Sequence, residues 1–211
     1  RELADEAKRR AETNRSEKQY GAALMDFRSS KSHWPQMPGV DDFIAQTQQE
    51  IEVVTLTERA QLALKSDRLD EARSLLDEAF EKSTLERGSI NELRLGVRKR
   101  GGELAYAAAH DLELQGLKAE AVVAYQKVVA DWPDGLLDEK TRIGALQGDI
   151  AGAEREFAAG DEAEKKGDLP AALDHYQSAR TWYEKYRDIG DRIARVKAKL
   201  PEQKAPKAGG S

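Results

Sequence analysis

Apolar residues along this 211-residue chain recur at intervals of three and four positions, which is the spacing of one face of an α-helix. Glycine and proline fall between these periodic segments. No Asn-Gly turn between alternating apolar and polar residues, the usual signal of a β-hairpin, is present. The pattern therefore predicts an all-α protein.

One connection between two predicted helices is specified residue by residue. Lys165 and Lys166 suit the negative end of a helix, and Gly167 can adopt the left-handed conformation that commonly ends one. Asp168 can then cap the next helix with its side chain. Pro170 falls in the first turn of that helix, where a missing N–H costs nothing. These residues predict a helical hairpin with a tight turn.

The second helix of this hairpin belongs to a repeat. A small residue, a large residue four positions later and a further residue three positions beyond recur four times, at spacings of 49, 49 and 51 residues. The copies are Ala23, Phe27, Ser30; Ala72, Leu76, Ala79; Ala121, Tyr125, Val128; and Ala172, Tyr176, Ala179. Such a pattern marks a helix face that packs closely against a neighbour. The sequence therefore predicts four helical hairpins.

These second helices resemble those of the tetratricopeptide repeat (TPR) family. In that family a turn precedes a helix with an alanine near its start, an aromatic residue one turn later and a proline after its end. Ala172 and Tyr176 follow the turn at 167–168 in this order, and Trp34-Pro35 and Trp132-Pro133 end two other copies. The resemblance covers most of the chain and implies a TPR-like α-solenoid of about four hairpins, which we expect to have linking helices and a long C-terminal helix.

The period departs from that of the family. TPR units recur about every 34 residues, whereas the spacing here is 49 to 51 residues. The added segments, at 40–52, 89–100 and 137–151, have helical apolar spacing. Each could form a separate linking helix or the extension of one very long hairpin arm. Possible breaks after them are a Thr55-x-x-Glu58 capping box, Gly101-Gly102 and Gly152.

The predicted domain organisation is one repeat domain, residues 1–200, followed by a flexible linker at 201–211. The linker has no apolar periodicity and is composed mainly of Pro, Lys, Ala and Gly. The repeat units are expected at about 1–38, 39–87, 88–136 and 137–200. Because the chain begins within a charged helical pattern and lacks a signal-peptide core, we expect a segment of a larger protein.

The resemblance to TPR proteins also implies a partner-binding groove, since the first helices of such hairpins usually line the inner surface of the array. In the third and fourth repeat units this surface would combine acidic and aromatic side chains suited to a basic or amphipathic partner segment. Its residues would be Glu103, Tyr106, His110, Glu113, Glu154, Phe157, Asp161 and Glu164. The alternative is that Tyr106 and Phe157 belong to the core and the acids form a solvated face.

The last segment carries an apolar seam spaced by four and three residues in alternation, as in a coiled coil. Its members are Trp182, Tyr186, Ile189, Ile193, Val196 and Leu200. One interpretation is a long C-terminal helix that self-associates, giving a homo-oligomer, or docks a partner helix. The other is a helix that folds back over the final repeat, because solenoids need to cover their exposed end.

Composition narrows the function classes. The absence of cysteine excludes disulfides, zinc–thiolate sites and cysteine nucleophiles. The three histidines lie at unrelated phases of the repeat, and no His-x-x-x-His pair, phosphate-binding glycine loop or nucleophile elbow is present. We therefore expect no catalytic residues, metal ligands or cofactors. A net charge of −5 argues against nucleic acid, and no apolar run reaches the roughly 18 residues needed for membrane insertion.

These patterns favour a non-catalytic protein–protein interaction scaffold within a larger protein, binding a peptide or helix of a partner. The alternative is a structural helical spacer or an oligomerisation module acting through the C-terminal helix. We expect a cytoplasmic location, although the absence of cysteine fits the periplasm equally.

Overall fold

The computed structural model describes residues 1–200, and this part of the chain contains nine α-helices and no strand. The helices are α1 (Glu2–Ser16), α2 (Tyr20–His33), α3 (Val40–Lys65), α4 (Leu69–Lys82), α5 (Arg87–Leu114), α6 (Lys118–Asp131), α7 (Glu139–Lys165), α8 (Leu169–Trp182) and α9 (Ile189–Lys199). The all-α prediction is confirmed. The linker predicted at 201–211 lies outside the described residues.

The described part of the chain forms two compact units, an N-terminal unit (Arg1–Gly101) and a C-terminal unit that begins at Gly102. The boundary falls within α5. In the N-terminal unit, α1 packs on α2, α2 on α3 and α3 on α4. In the C-terminal unit, α6 packs on α7, α7 on α8 and α8 on α9. Helices thus pack on their neighbours in chain order, as in solenoid-like all-α folds.

The same turn closes all four hairpins. At each one, an N–H bonds to the carbonyl five residues earlier, as in Asp168 to Ala163 (3.0 Å) and Leu117 to Leu112 (2.9 Å). This bond pattern identifies a helix end that needs one residue in the left-handed region. The predicted turn at Gly167 is confirmed, with a φ of 79°, and the Asp168 side chain accepts from the Ala171 N–H at 3.2 Å.

The repeated three-residue pattern of the second helices, the small–large–small motif, is buried in the hairpins, as predicted. All twelve residues of the four copies are exposed by 1% or less. In the C-terminal unit, the ring of Tyr176 packs so closely on α7 that a β-carbon at Gly160 would lie 2.7 Å from it. Ala109 takes the place of Gly160 one repeat earlier and is fully buried. The repeat is therefore a packing unit as well as a sequence pattern.

The added segments are extensions of the first hairpin helices, so the expectation of separate linking helices is wrong and the long-arm interpretation is correct. Helices α3, α5 and α7 are continuous over 26, 28 and 27 residues. The breaks proposed at Thr55, Gly101-Gly102 and Gly152 are wrong. Two of these glycines serve close packing: a β-carbon at Gly102 would lie 2.7 Å from the Trp132 side chain. At Gly152 it would lie 2.7 Å from Trp182.

A long C-terminal helix is not formed. Helix α8 ends at Trp182, and α9 begins only at Ile189. The intervening residues turn the chain, with Arg187 in the left-handed region at a φ of 48°. This turn brings the apolar face of α9 back onto α7 and α8. The predicted seam is therefore divided between two helices.

Adding a methyl group at Gly160 should destabilise the C-terminal unit. In Gly160→Ala the new β-carbon would collide with the fully buried Tyr176 ring, and such overpacking costs about 1–3 kcal/mol. Gly148→Ala is the matched control, because Gly148 lies on the same helix with no atom within 4 Å of the built β-carbon. There, alanine should raise helix stability by up to about 1 kcal/mol. Urea unfolding of both variants checks this, and equal effects would contradict the packing described.

Candidate functional site

The aromatic residues of the predicted groove belong to the core of the C-terminal unit or to its edge. Phe157 is only 2% exposed and meets the rings of Tyr176 and Tyr186 edge-on, at 5.4 and 5.6 Å between centroids. The expectation that Phe157 lines an open groove is wrong, because α8 and the turn before α9 cover it. Tyr106 is half-buried and stacks on His110, and its hydroxyl contacts Asp138 and Arg142.

The acidic residues of the predicted groove meet basic side chains of the same unit. Glu113 on α5 accepts from the Tyr125 hydroxyl at 2.9 Å and from Arg142 at 3.0 Å. Glu154 lies 3.7 Å from Arg187, and Glu103 is half-buried on α5. A basic partner segment would therefore have to compete with cations that the chain itself supplies.

The same arrangement recurs one repeat later. Glu164 on α7 accepts from the Tyr176 hydroxyl at 3.1 Å and from Arg195 on α9 at 2.8 Å. Asp161 accepts from Tyr176 at 2.6 Å and pairs with Arg192 at 3.1 Å. In both places an acid lies twelve residues before the tyrosine that it contacts. An acid, a tyrosine and an arginine thus connect three consecutive helices.

The ionisation of these groups follows from their contacts. Burial, followed by hydrogen bonding to the acids, raises the pKa of Tyr125 and of Tyr176. Hydrogen bonds from Arg195, opposed by burial and reinforced by Lys199 and Tyr176, lower the pKa of Glu164 to about 2. Tyr125 and Tyr176 are therefore neutral and Glu164 is ionised at neutral pH. The hydrogen bonds and ion pairs of this network link consecutive helices of the C-terminal unit.

The stability of the C-terminal unit should consequently fall in acid. The pKa of Glu164 lies below its unfolded value of about 4.3, so its ionised form stabilises the fold above that pH, and this contribution is lost as the pH falls towards about 2. Glu164→Gln should show a smaller loss of unfolding free energy between about pH 5 and pH 2. Asp174→Asn, an exposed substitution on α8, is the control. If the unsubstituted protein and both variants showed the same pH dependence of stability, the lowered pKa of Glu164 would be contradicted.

The seam residues are mostly buried within the C-terminal unit. Ile189, Ile193 and Val196 are exposed by 6% or less, Tyr186 by 7%, and Leu200 packs on the same cluster. This arrangement agrees with the interpretation in which the last helix folds back over the final repeat. Trp182 differs from the rest because it stays 42% exposed.

Trp182 lies instead in a surface groove that the sequence did not predict. The groove has a volume of about 470 Å³ and lies between the α5–α6 turn and the end of α8. Its wall combines Leu114, 73% exposed, and Trp182 with three cationic side chains and one acidic one. The lining residues that carry its chemistry are Leu114, Trp182, Lys118, Arg180, Lys185 and Glu184. The only sequence signal for this site is the charge of 169–199, with seven basic and four acidic side chains.

The cations of this groove are held in place by the fold. The Lys118 amine donates to Asp149 at 2.5 Å and to the backbone carbonyl of Trp182 at 2.6 Å. Lys185 donates to the carbonyl of Gln115 at 2.7 Å. Arg180 forms an exposed pair with Glu184 at 3.3 Å. The groove therefore places exposed apolar side chains next to three cations, two of which are paired with acids of the same unit.

Within residues 1–200, no cluster of three or more His, Asp or Glu side chains has a geometry that could hold a metal ion. No helix in this part of the chain is both long and apolar enough to cross a bilayer. The chain matches no protein-family model, and a search of curated proteins gives no significant match. The resemblance to TPR proteins therefore stays a prediction.

Proposed function

We propose that this chain is a non-catalytic, TPR-like scaffold that binds a peptide or helix of a partner protein. The observation that carries the proposal is the groove of the C-terminal unit. There, two large exposed apolar side chains, Leu114 and Trp182, line the same groove as three cations. Interfaces are enriched in exposed tryptophan and arginine of this kind, and such residues often dominate binding energy.

The repeated hairpins support this proposal indirectly. Four hairpins share one turn and one packing motif, so they form a common framework. Repeat proteins of this kind use such a framework to carry a binding surface. The long first arms set these hairpins apart from the usual TPR period. A groove built from a hairpin turn and the end of the next hairpin therefore differs from one lined by first helices.

Site-specific photo-crosslinking tests the function. A photo-activatable residue in place of Leu114 should crosslink a discrete partner in cells, whereas the same residue at Leu62, 59% exposed in the N-terminal unit, should not. After identification, the purified partner should bind Leu114→Ser about tenfold more weakly than the unsubstituted chain, as expected for an interface anchor. Equal crosslinking at both positions, or unchanged affinity of Leu114→Ser, would show that the groove is not the binding surface.

A further inference from the structure

Grooves at the same place in the repeat occur in both units. In the N-terminal unit, a groove of about 350 Å³ lies beside the α1–α2 turn and is lined by residues that include Lys18, Tyr20 and Leu85. Alignment of the repeats places Lys118 at the position of Tyr20 and Lys185 at that of Leu85. The lining positions of the two grooves thus overlap at the hairpin turn and at one position after the next hairpin, but the grooves differ in chemistry.

In the N-terminal unit, a carboxylate of the chain itself bonds to two of the residues that line the groove. Glu86, 7% exposed, accepts from Lys18 at 2.7 Å, from the hydroxyl of Tyr20 and from Ser89 at 3.1 Å. Burial would raise the pKa of Glu86, but the hydrogen bonds from Lys18 and Tyr20 outweigh it, and the pKa is lowered. This place beside the hairpin turn therefore stabilises an ionised carboxylate.

In the C-terminal unit that carboxylate is missing from the equivalent position. Tyr186 stands in the place of Glu86 and turns its ring onto Phe157. Gly116 replaces Lys18 and leaves space, while Lys118 and Lys185 add positive charge. Each ammonium group carries three donors, and the bonds to Asp149, Trp182 and Gln115 leave at least one on each lysine for a further acceptor.

We propose that the groove of the C-terminal unit binds an acidic segment of a partner protein, its carboxylates meeting Lys118, Arg180 and Lys185 and a neighbouring apolar side chain packing on Leu114 and Trp182. This inference rests on the proposed function and gives the chemistry of the partner. The partner expected from the sequence was basic or amphipathic. The acids that suggested it are paired with arginines within the unit, whereas three cations line this groove and one of them, Lys185, bonds only to a backbone carbonyl within the described residues. A nucleic acid suits the groove less, because the chain as a whole is acidic.

Fluorescence anisotropy with two labelled peptides tests the charge preference. One probe is an amphipathic peptide rich in leucine, tryptophan and glutamate, and the other has every glutamate replaced by lysine. The acidic peptide should bind the full chain, more weakly as salt increases, and the basic peptide should bind at least about tenfold more weakly. Arg180→Glu with Lys185→Glu should weaken the acidic peptide by a similar factor. Lys127→Glu, an exposed charge reversal on α6, should leave its binding unchanged.

A charge swap separates recognition from folding. The double variant Arg180→Glu with Lys185→Glu should gain affinity for the basic peptide, which a misfolded protein would not do. Equal binding of both peptides, no binding of the acidic peptide, or tighter binding of a single-stranded oligonucleotide would overturn the inference. If crosslinking at Leu114 still identifies a partner in that case, the scaffold function stands and only the acidic chemistry fails. If crosslinking fails as well, the proposed function fails with it.

Discussion

Tyr176→Ala should lower the free energy of unfolding of the C-terminal unit by about 3–5 kcal/mol, the range found for buried aromatic residues. The Tyr176 side chain is fully buried, contacts Phe157 edge-on and lies against Gly160. Its removal leaves a cavity between α7 and α8 and separates Asp161 from a hydrogen-bond donor. Urea unfolding followed by circular dichroism measures the loss.

Tyr176→Phe is the control that separates the ring from the hydroxyl. It keeps the packing and removes only the bonds to Asp161 and Glu164. Because the acceptors are charged, the expected cost is about 1.5–3 kcal/mol at most, and the arginines on α9 reduce it further by remaining bonded to both acids. A Tyr176→Ala variant no less stable than Tyr176→Phe would contradict the buried position of the ring.

Ile189→Ala should cost about 2–5 kcal/mol, because the side chain is 1% exposed at the start of α9 and packs in the core cluster of the C-terminal unit. Gly190→Ala is the neighbouring control, with no atom within 4 Å of the built β-carbon. It should leave stability unchanged or raise it by up to about 1 kcal/mol. The same urea titration distinguishes the two variants.

The oligomeric state of these variants discriminates between the two interpretations of the seam. If Ile189 serves the fold of its own chain, Ile189→Ala loses stability and light scattering gives the same mass as for the unsubstituted protein. If the seam were an interface between copies, Ile193→Lys would reduce the mass and leave the free energy of unfolding of each chain unchanged. That second result would contradict the burial of α9 against α7 and α8.

The hairpins could be predicted because their signals are local. The small–large–small motif and the turn at Gly167 depend on residues within one helix or its end. The turns of the first two hairpins could not be predicted from a glycine. There, Lys18 and Asp67 adopt the left-handed backbone conformation that Gly116 and Gly167 adopt in the other two hairpins. Each of the two forms an ion pair instead, Lys18 with Glu86 and Asp67 with Arg100.

The wrong expectations came from residues whose role depends on distant partners. Gly102 and Gly152 look like helix breaks in the sequence, but both lie within continuous helices. Because glycine has no side chain, a tryptophan thirty positions later in the chain can pack directly on each of them. The acids on α5 and α7 look like a free acidic surface until the arginines two helices later, on α7 and α9, are placed beside them. The groove at Trp182 joins two hairpin ends far apart in the chain, and no local pattern marks it.

Hydrogen–deuterium exchange with and without the acidic peptide locates the bound peptide without any substitution. We expect slower exchange at the α5–α6 turn, residues 114–118, and at the end of α8, residues 177–185, which together line the groove. Protection confined to 103–113 and 154–164, where the groove expected from the sequence would lie, would contradict binding in this groove.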